Sequence, residues 1–183
     1  MLIYSMSVSV DGFVTDRAGG FEWTAPEEEV FRFHLEQVRE LGAYLLGRRL
    51  YETMSVWETD PSLRVDQFRD EFADVWCALP KVVFSRTLDG VQGNARLAEG
   101  SVADEVAAAT GATDRDVSIG GAELAAAAIE HDLVDEFRLF RHPVAIGGGT
   151  PYLPPMTEAV QLDLIEARKL GSRVIYERYR HPR

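Results

Sequence analysis

The chain has 183 residues, 46% of them hydrophobic, and a net charge of −11 from 19 basic and 30 acidic side chains. That length and apolar content suit one folded domain over residues 1–183 and exclude a disordered chain. The charge disfavours nucleic acid and acidic membranes as partners. No run is long and apolar enough to cross a bilayer, the first residues lack the basic stretch of a signal peptide, and the single Cys77 excludes an internal disulfide and suits a reducing cytoplasm.

Residues 2–8 alternate, with Leu2, Tyr4, Met6 and Val8 on one face and Ile3, Ser5 and Ser7 on the other, which predicts a strand. Asp11-Gly12 turns the chain, and a glycine-containing loop leads to Trp23. Pro26 followed by Glu27, Glu28 and Glu29 reads as a helix start. Val30, Phe31, His34, Leu35, Val38 and Leu41 continue the helical spacing to a stop at Gly42, and His34 reads as part of that helix face.

Residues 43–46 predict a short strand ending in Gly47-Arg48-Arg49, then a helix through Tyr51 and Met54. A polar loop over 58–64 precedes a helix over 65–79 that Pro80 ends. Strands follow at 81–85 and 95–98, and Ser101 caps a helix to Ala109. The strand 116–119 runs into Gly120-Gly121 and an alanine-rich helix over 122–131. Residues 134–141 alternate, 143–155 form a Gly/Pro-rich loop, and strands at 161–166 and 173–179 flank the hairpin signal Gly171-Ser172. Alternating strands and helices closed by antiparallel strands predict an α/β three-layer sandwich, mainly parallel, with an antiparallel C-terminal hairpin.

Three strand exits carry residues suited to an anion: Gly47-Arg48-Arg49, Ser85-Arg86-Thr87 and Gly120-Gly121 ahead of Ala122-Glu123. In open α/β sheets ligands lie at the carboxyl ends of strands, and backbone N–H groups at a helix start favour phosphate. Arginine adds a planar fork for phosphate oxygens. The Debye length is about 8 Å at physiological salt, so local arginines outweigh the distant acidic surface. The three exits together predict one phosphate-rich ligand spanning three loops. Read singly, the Gly47 exit is equally well a turn with Arg48 or Arg49 paired to Glu52 at helical spacing, and the other two exits read more readily as turns. There is no G-x-G-x-x-G, Gly147-Gly148-Gly149-Thr150 lacks the lysine of a P-loop, and His34, His131, His142, His181 and Cys77 show no metal-ligand spacing.

At these residues the chain resembles the dihydrofolate reductase superfamily. Gly47-Arg48 with Tyr51-Glu52, Leu79-Pro80-Lys81 running into Phe84-Ser85-Arg86, and Ile119-Gly120-Gly121 occur in that family's order. Ser9-Val10-Asp11-Gly12 and the loop Pro143 to Pro151 with its Gly-Gly-Gly are similar to the reductase domain of riboflavin biosynthesis. The resemblance implies NADPH as cofactor, with Gly47, Arg48 and Arg49 at phosphates and Ser85 and Arg86 around the adenine and 2′-phosphate. It places Gly120, Gly121, Ala122 and Glu123 along the pyrophosphate, and implies a cis peptide between the glycines. Leu50 departs from the threonine usual in folate enzymes.

The same resemblance implies a small heterocyclic substrate, pterin-like or a ribosylated pyrimidine, near Ser9, Trp23 and Phe31. Proton delivery calls for a carboxyl group in a partly apolar pocket. Counting from Pro26 selects Glu28, the apolar helix face selects Glu27, and Asp11 at the end of the first strand is a third candidate; acids also cluster at helix starts simply to satisfy the dipole. Arg17 is the candidate contact for a substrate phosphate. Two readings stand: an NADPH-dependent reductase, or a non-catalytic nucleotide-binding or assembly protein of the same fold. The late loop and terminal hairpin leave room for a homodimer.

Overall fold

A computed structural model describes residues 1–156 and 158–182. The element order is β1 (Leu2–Val8), β2 (Phe13–Thr15), α1 (Glu28–Arg39), β3 (Leu41–Gly47), α2 (Arg48–Met54), α3 (Val56–Thr59), α4 (Gln67–Ala78), β4 (Lys81–Phe84) and β5 (Ala95–Leu97). There follow α5 (Val102–Gly111), β6 (Asp116–Gly120), α6 (Ala122–Glu130), β7 (Glu136–Arg141), β8 (Thr150–Pro151), β9 (Asp163–Leu170) and β10 (Val174–Arg180). Eight strands form one sheet in the order β5-β4-β3-β6-β1-β7-β10-β9. Pairing is parallel from β5 through β7 and antiparallel at β10 and β9. The expected α/β sandwich with its antiparallel hairpin is thus the observed fold.

Both faces of the parallel part are covered, as buried parallel sheets require. Leu2, Tyr4, Leu45, Val117 and Ile119 pack under α5 and α6. On the other face Ile3, Leu46 and Val83 meet Phe31 and Leu35 of α1 and Phe72 and Trp76 of α4. Phe33 of α1 reaches over to Phe140, Leu170 and Tyr176, tying the antiparallel end to the same helix. Ser101 and Asp104 form the capping box that starts α5.

Three local expectations change. Gly42 does not stop α1: the helix ends at Arg39, and Gly42 lies within β3. A Cβ there would come within 2.4 Å of Thr113, so the glycine serves packing. Phe13–Thr15 and Thr150–Pro151 pair as a small second sheet that the loop reading missed. The polar stretch after Val56 is partly helical, and its Glu58 is drawn inward by Lys81, whose ammonium also donates to the Leu79 carbonyl.

The Lys81–Glu58 pair spans 2.9 Å with side-chain exposures of 0% and 9%. Removing one member of such a pair strands a buried charge at a cost of about 3–5 kcal/mol. Glu58→Ala is therefore expected to lower unfolding free energy by about 3 kcal/mol in denaturant titration. The double change Glu58→Leu with Lys81→Met is expected to recover most of it.

Candidate functional site

The site is assembled by strand register. Leu46 pairs with Gly120 and Gly47 with Phe84, so the exits of β3, β6 and β4 stand side by side at one sheet edge. Gly47, Arg48, Arg49, Ser85, Arg86, Gly121, Ala122 and Glu123 all line one cleft of about 2060 Å³ there. A site for one drug-sized ligand occupies about 300–1,000 Å³, so this cleft has room for two ligands end to end.

Each loop has its own internal support. The Ser85 hydroxyl accepts from the amides of Thr87 and Leu88 and so shapes the β4 exit. Arg48 Nε donates to Glu52 Oε1 at 2.8 Å, and Arg48 Nη1 reaches Thr87 Oγ1, joining the β3 and β4 exits. Arg49 faces Glu123 across the cleft at 3.7 Å with both side chains exposed, a solvent-screened pair that costs little to break. Arg86 is exposed and has no ion-pair partner among the described residues.

The two glycines divide their work. Gly120 is buried, and a Cβ on it would meet Leu50 at 2.4 Å and the Tyr44 ring at 2.9 Å; it is a packing position off the cleft lining. Leu50, which departs from the folate pattern, is the side chain that fills this space. Gly121 lines the cleft with φ +93° as the residue ahead of α6, a conformation that a side chain disfavours. No cis peptide occurs among the described residues, so the Gly120–Gly121 bond is trans, contrary to expectation.

The other end of the cleft is a hollow beneath α1. Ile3 is in register with Ser118, Ser5 with Arg138 and Ser7 with Phe140, so these side chains share the α1 face of the sheet. Serines in the middle of a parallel strand leave space where valine or isoleucine would fill it. Phe31, His34 and Gln37 of α1 line the hollow opposite. Arg138 is buried, its guanidinium joined to Glu136 and Gln37. The half-buried His34 ring packs 4.2 Å from that of Phe140, and burial, with His142 nearby, pulls its pKa down to about 4.

The predicted carboxylates are not in this hollow. Glu27 holds the β9–β10 hairpin: its oxygens accept from the Ser172 amide and hydroxyl, which keeps its pKa below the usual range. Glu28 is exposed and paired with Arg32. Asp11 caps the late loop by accepting from the amides of Ile146 and Gly147, and Ser9 with these amides lowers its pKa to about 2. Of the predicted substrate contacts only Phe31 lines the cleft. Ser9 is buried and accepts from the Phe13 amide, and Trp23 turns its indole edge-on to His142. The helix-start pattern misled because the dipole favours acids there whatever they bind, and here Ser172 and Arg32 claim them. The missed residues, Ser5, Ser7, His34, Gln37 and Arg138, were signalled only by polar side chains on faces that otherwise read as apolar.

Arg17 lines the cleft and donates to the Gly147 carbonyl, so the loop after β2 and the late loop meet over the opening. The late loop is also held from below. Tyr4 and Tyr152 stack at 4.3 Å, and each hydroxyl donates to the other residue's carbonyl at 3.0 Å.

With this geometry, the RibD C-terminal domain family matches residues 1–176. The chain belongs to that family. The Bacillus subtilis protein YyaP, itself uncharacterized, is 26% identical over 179 residues, covering 95% of this chain and 91% of YyaP. A riboflavin-biosynthesis candidate from Shewanella sp. PV-4 has the same fold, with a TM-score of 0.78 at 21% identity, over 100% of this chain and 99% of that one. Acinetobacter baumannii RibD superposes at a TM-score of 0.69 with 16% identity; 99% of this chain covers 57% of that longer protein. As a RibD C-terminal domain, the chain has a dihydrofolate reductase-like sheet with its cleft at the carboxyl edge of the parallel strands. Among the described residues no helix is long and apolar enough to cross a membrane.

Asp11 generates a test. Its folded pKa is depressed, so its support of the late loop is full above the ordinary aspartate value of about 4 and is lost as pH falls toward about 2. Hydrogen exchange is expected to show the Ile146 and Gly147 amides losing protection through that window. Asp11→Asn is expected to expose them already at neutral pH.

Proposed function

We propose that the protein is an NADPH-dependent reductase of a flat nitrogen heterocycle, pterin-like or pyrimidine-type. The observation that carries this reading is the convergence of the β3, β4 and β6 exits in one cleft that continues into the hollow under α1. The residues fit the dinucleotide. Gly47 and Gly121 present bare backbone where phosphates approach closely, and the N-terminus of α6 offers N–H groups and a positive dipole end. Arg86, without an ion-pair partner among the described residues, suits the 2′-phosphate; Arg48 supports it from the neighbouring exit, and Arg49 exchanges Glu123 for a phosphate oxygen.

NADPH supplies a hydride for a C=N or C=O bond of the ring. The chain's task is to hold that ring flat against Phe31 and Phe140, which line the hollow. With Glu27, Glu28 and Asp11 engaged elsewhere, the proton for the neighbouring heteroatom comes from solvent. Arg17 at the opening suits a phosphate carried by a ribosylated substrate. The lone Cys77 supports a cytoplasmic setting, and the exposed Leu164, Ile165 and Ile175 on the hairpin support pairing of two copies.

The test compares NADPH and NADH binding. A charged hydrogen bond contributes about 1.5–3 kcal/mol, so Arg86→Ala is expected to weaken NADPH at least about tenfold while NADH changes little. Arg48→Ala is expected to act in the same direction but less, because its guanidinium is shared with Glu52 and Thr87. Equal losses for both dinucleotides would refute this placement of the 2′-phosphate. Tight NADPH binding without absorbance loss on any pteridine or aminouracil substrate would favour the non-catalytic reading.

A further inference from the structure

The inner end of the cleft holds a buried cation that the fold does not use up. Arg138 is only 6% exposed, yet it lines the cleft beneath α1. Its Nε donates to Glu136 Oε1 at 2.7 Å and its Nη1 to Gln37 Oε1, while its Nη2 bonds no group among the described residues. Balancing Glu136 does not account for Arg138, because Arg178 donates to the same Oε1 at 2.7 Å and Arg180 lies 3.6 Å from Oε2. One carboxylate is thus set against three guanidinium groups. Glu166, which stands beside Arg178 on β9, is taken by Arg168. A buried charge short of a counter-charge is costly, so the guanidinium left over at the cleft wall is a place for an anion.

The neighbours of Arg138 add donors and no carboxylate. A guanidinium can only donate, so Gln37 turns its Oε1 toward Arg138 and the Tyr176 hydroxyl, and its NH2 group points away from them. Gln37 lines the cleft, and that NH2 group has no partner among the described residues. Ser5 stands in register with Arg138 on the same face and lines the cleft with a hydroxyl to donate. The carboxylates that line the cleft lie elsewhere and are engaged: Glu52 with Arg48, Glu123 with Arg49, and Asp16 with the amides of Ala18 and Gly20. Guanidinium, amide and hydroxyl donors thus border one space beside the rings of Phe31 and Phe140.

We propose that Arg138 binds a carboxylate carried by the substrate ring, so that the substrate class is a planar heterocyclic carboxylic acid. Arg138 Nη2, Gln37 Nε2 and Ser5 Oγ donate to that carboxylate, and Phe31 and Phe140 flank the ring. This rests on the reductase reading for the identity of the hollow as the substrate end. It goes beyond that reading by giving the ring a negative charge at its inner edge, separate from any phosphate that Arg17 meets at the opening. Charge-assisted hydrogen bonds are the strong ones, and a planar guanidinium matches the planar carboxylate.

The experiment titrates two pairs of rings, uracil against orotate (uracil-6-carboxylate) and pterin against pterin-6-carboxylate, onto the protein alone and onto protein saturated with NADP+. In the wild type at least one acid is expected to bind at least about tenfold more tightly than its parent ring, the effect of one charge-assisted hydrogen bond. Arg138→Met is expected to erase that preference and Arg138→Lys to keep part of it. Gln37→Leu leaves the Glu136 cluster intact, is expected to cut the preference about threefold, and is the decisive variant should Arg138→Met not fold. Dinucleotide affinity is expected to change by less than about twofold in the variants, which also reports that they fold. Preference for neither acid in the wild type, no binding of any of the four rings, a preference indifferent to positions 138 and 37, or displacement of a bound ring acid by equimolar acetate would overturn the inference. Failure of NADPH to bind wild-type protein would instead overturn the reductase reading, and Arg138-dependent binding of a ring acid would stand without it.

Discussion

β6 enters the sheet between β3 and β1, and its exit is thereby laid against the exit of β3 with no side chain between them. A Cβ built on Gly121 would lie 3.5 Å from the Gly47 Cα, so the two backbones are in direct contact. This approach sets the depth of the cleft and carries the starts of α2 and α6 to the same edge. The rest of the site depends on it: move β6 outward by one strand and the arginines of two exits no longer face the glycines of the third. Gly120 enforces the fit from below, since Tyr44 and Leu50 occupy the space its side chain would need.

The cleft has two ends. The outer end carries Arg48, Arg49 and Arg86 on exposed loops; the inner end is lined by serines, an amide, aromatic rings, a histidine and the buried Arg138, which is paired with Glu136. An acidic protein can hold an anion at such arginines because the field of remote carboxylates is screened within a Debye length, about 8 Å, while the guanidinium groups are in contact range. The aromatic and serine-lined end suits a flat polar ring, held by stacking area and a few directed hydrogen bonds.

Many of the acidic side chains act as ties. Asp11 holds the late loop, Glu27 the hairpin tip, Glu58 the buried Lys81, and Glu136 three arginines at the floor of the sheet. A carboxylate at a strand or helix end has several orphan N–H groups within reach, and the nearest of them claims it. That is why Asp11 and Glu27 looked eligible for proton transfer and are instead bound to backbone amides, with pKa values moved away from neutrality.

The sequence by itself determined the alternation of strands and helices, the exits that bear Gly and Arg, and the final hairpin. These depend on short-range causes: side-chain period, caps, and glycine at turns. It did not determine that Gly42 lies inside a strand, that β2 and β8 pair, or that Ser5, Ser7 and His34 face one hollow. Those outcomes depend on which strand lies beside which and on what packs against each face. A serine on β1 meets the same local backbone whether α1 covers it closely or leaves a space. Only the tertiary arrangement, through the register of β1 with β7 and the seat of α1 above them, makes that space a site.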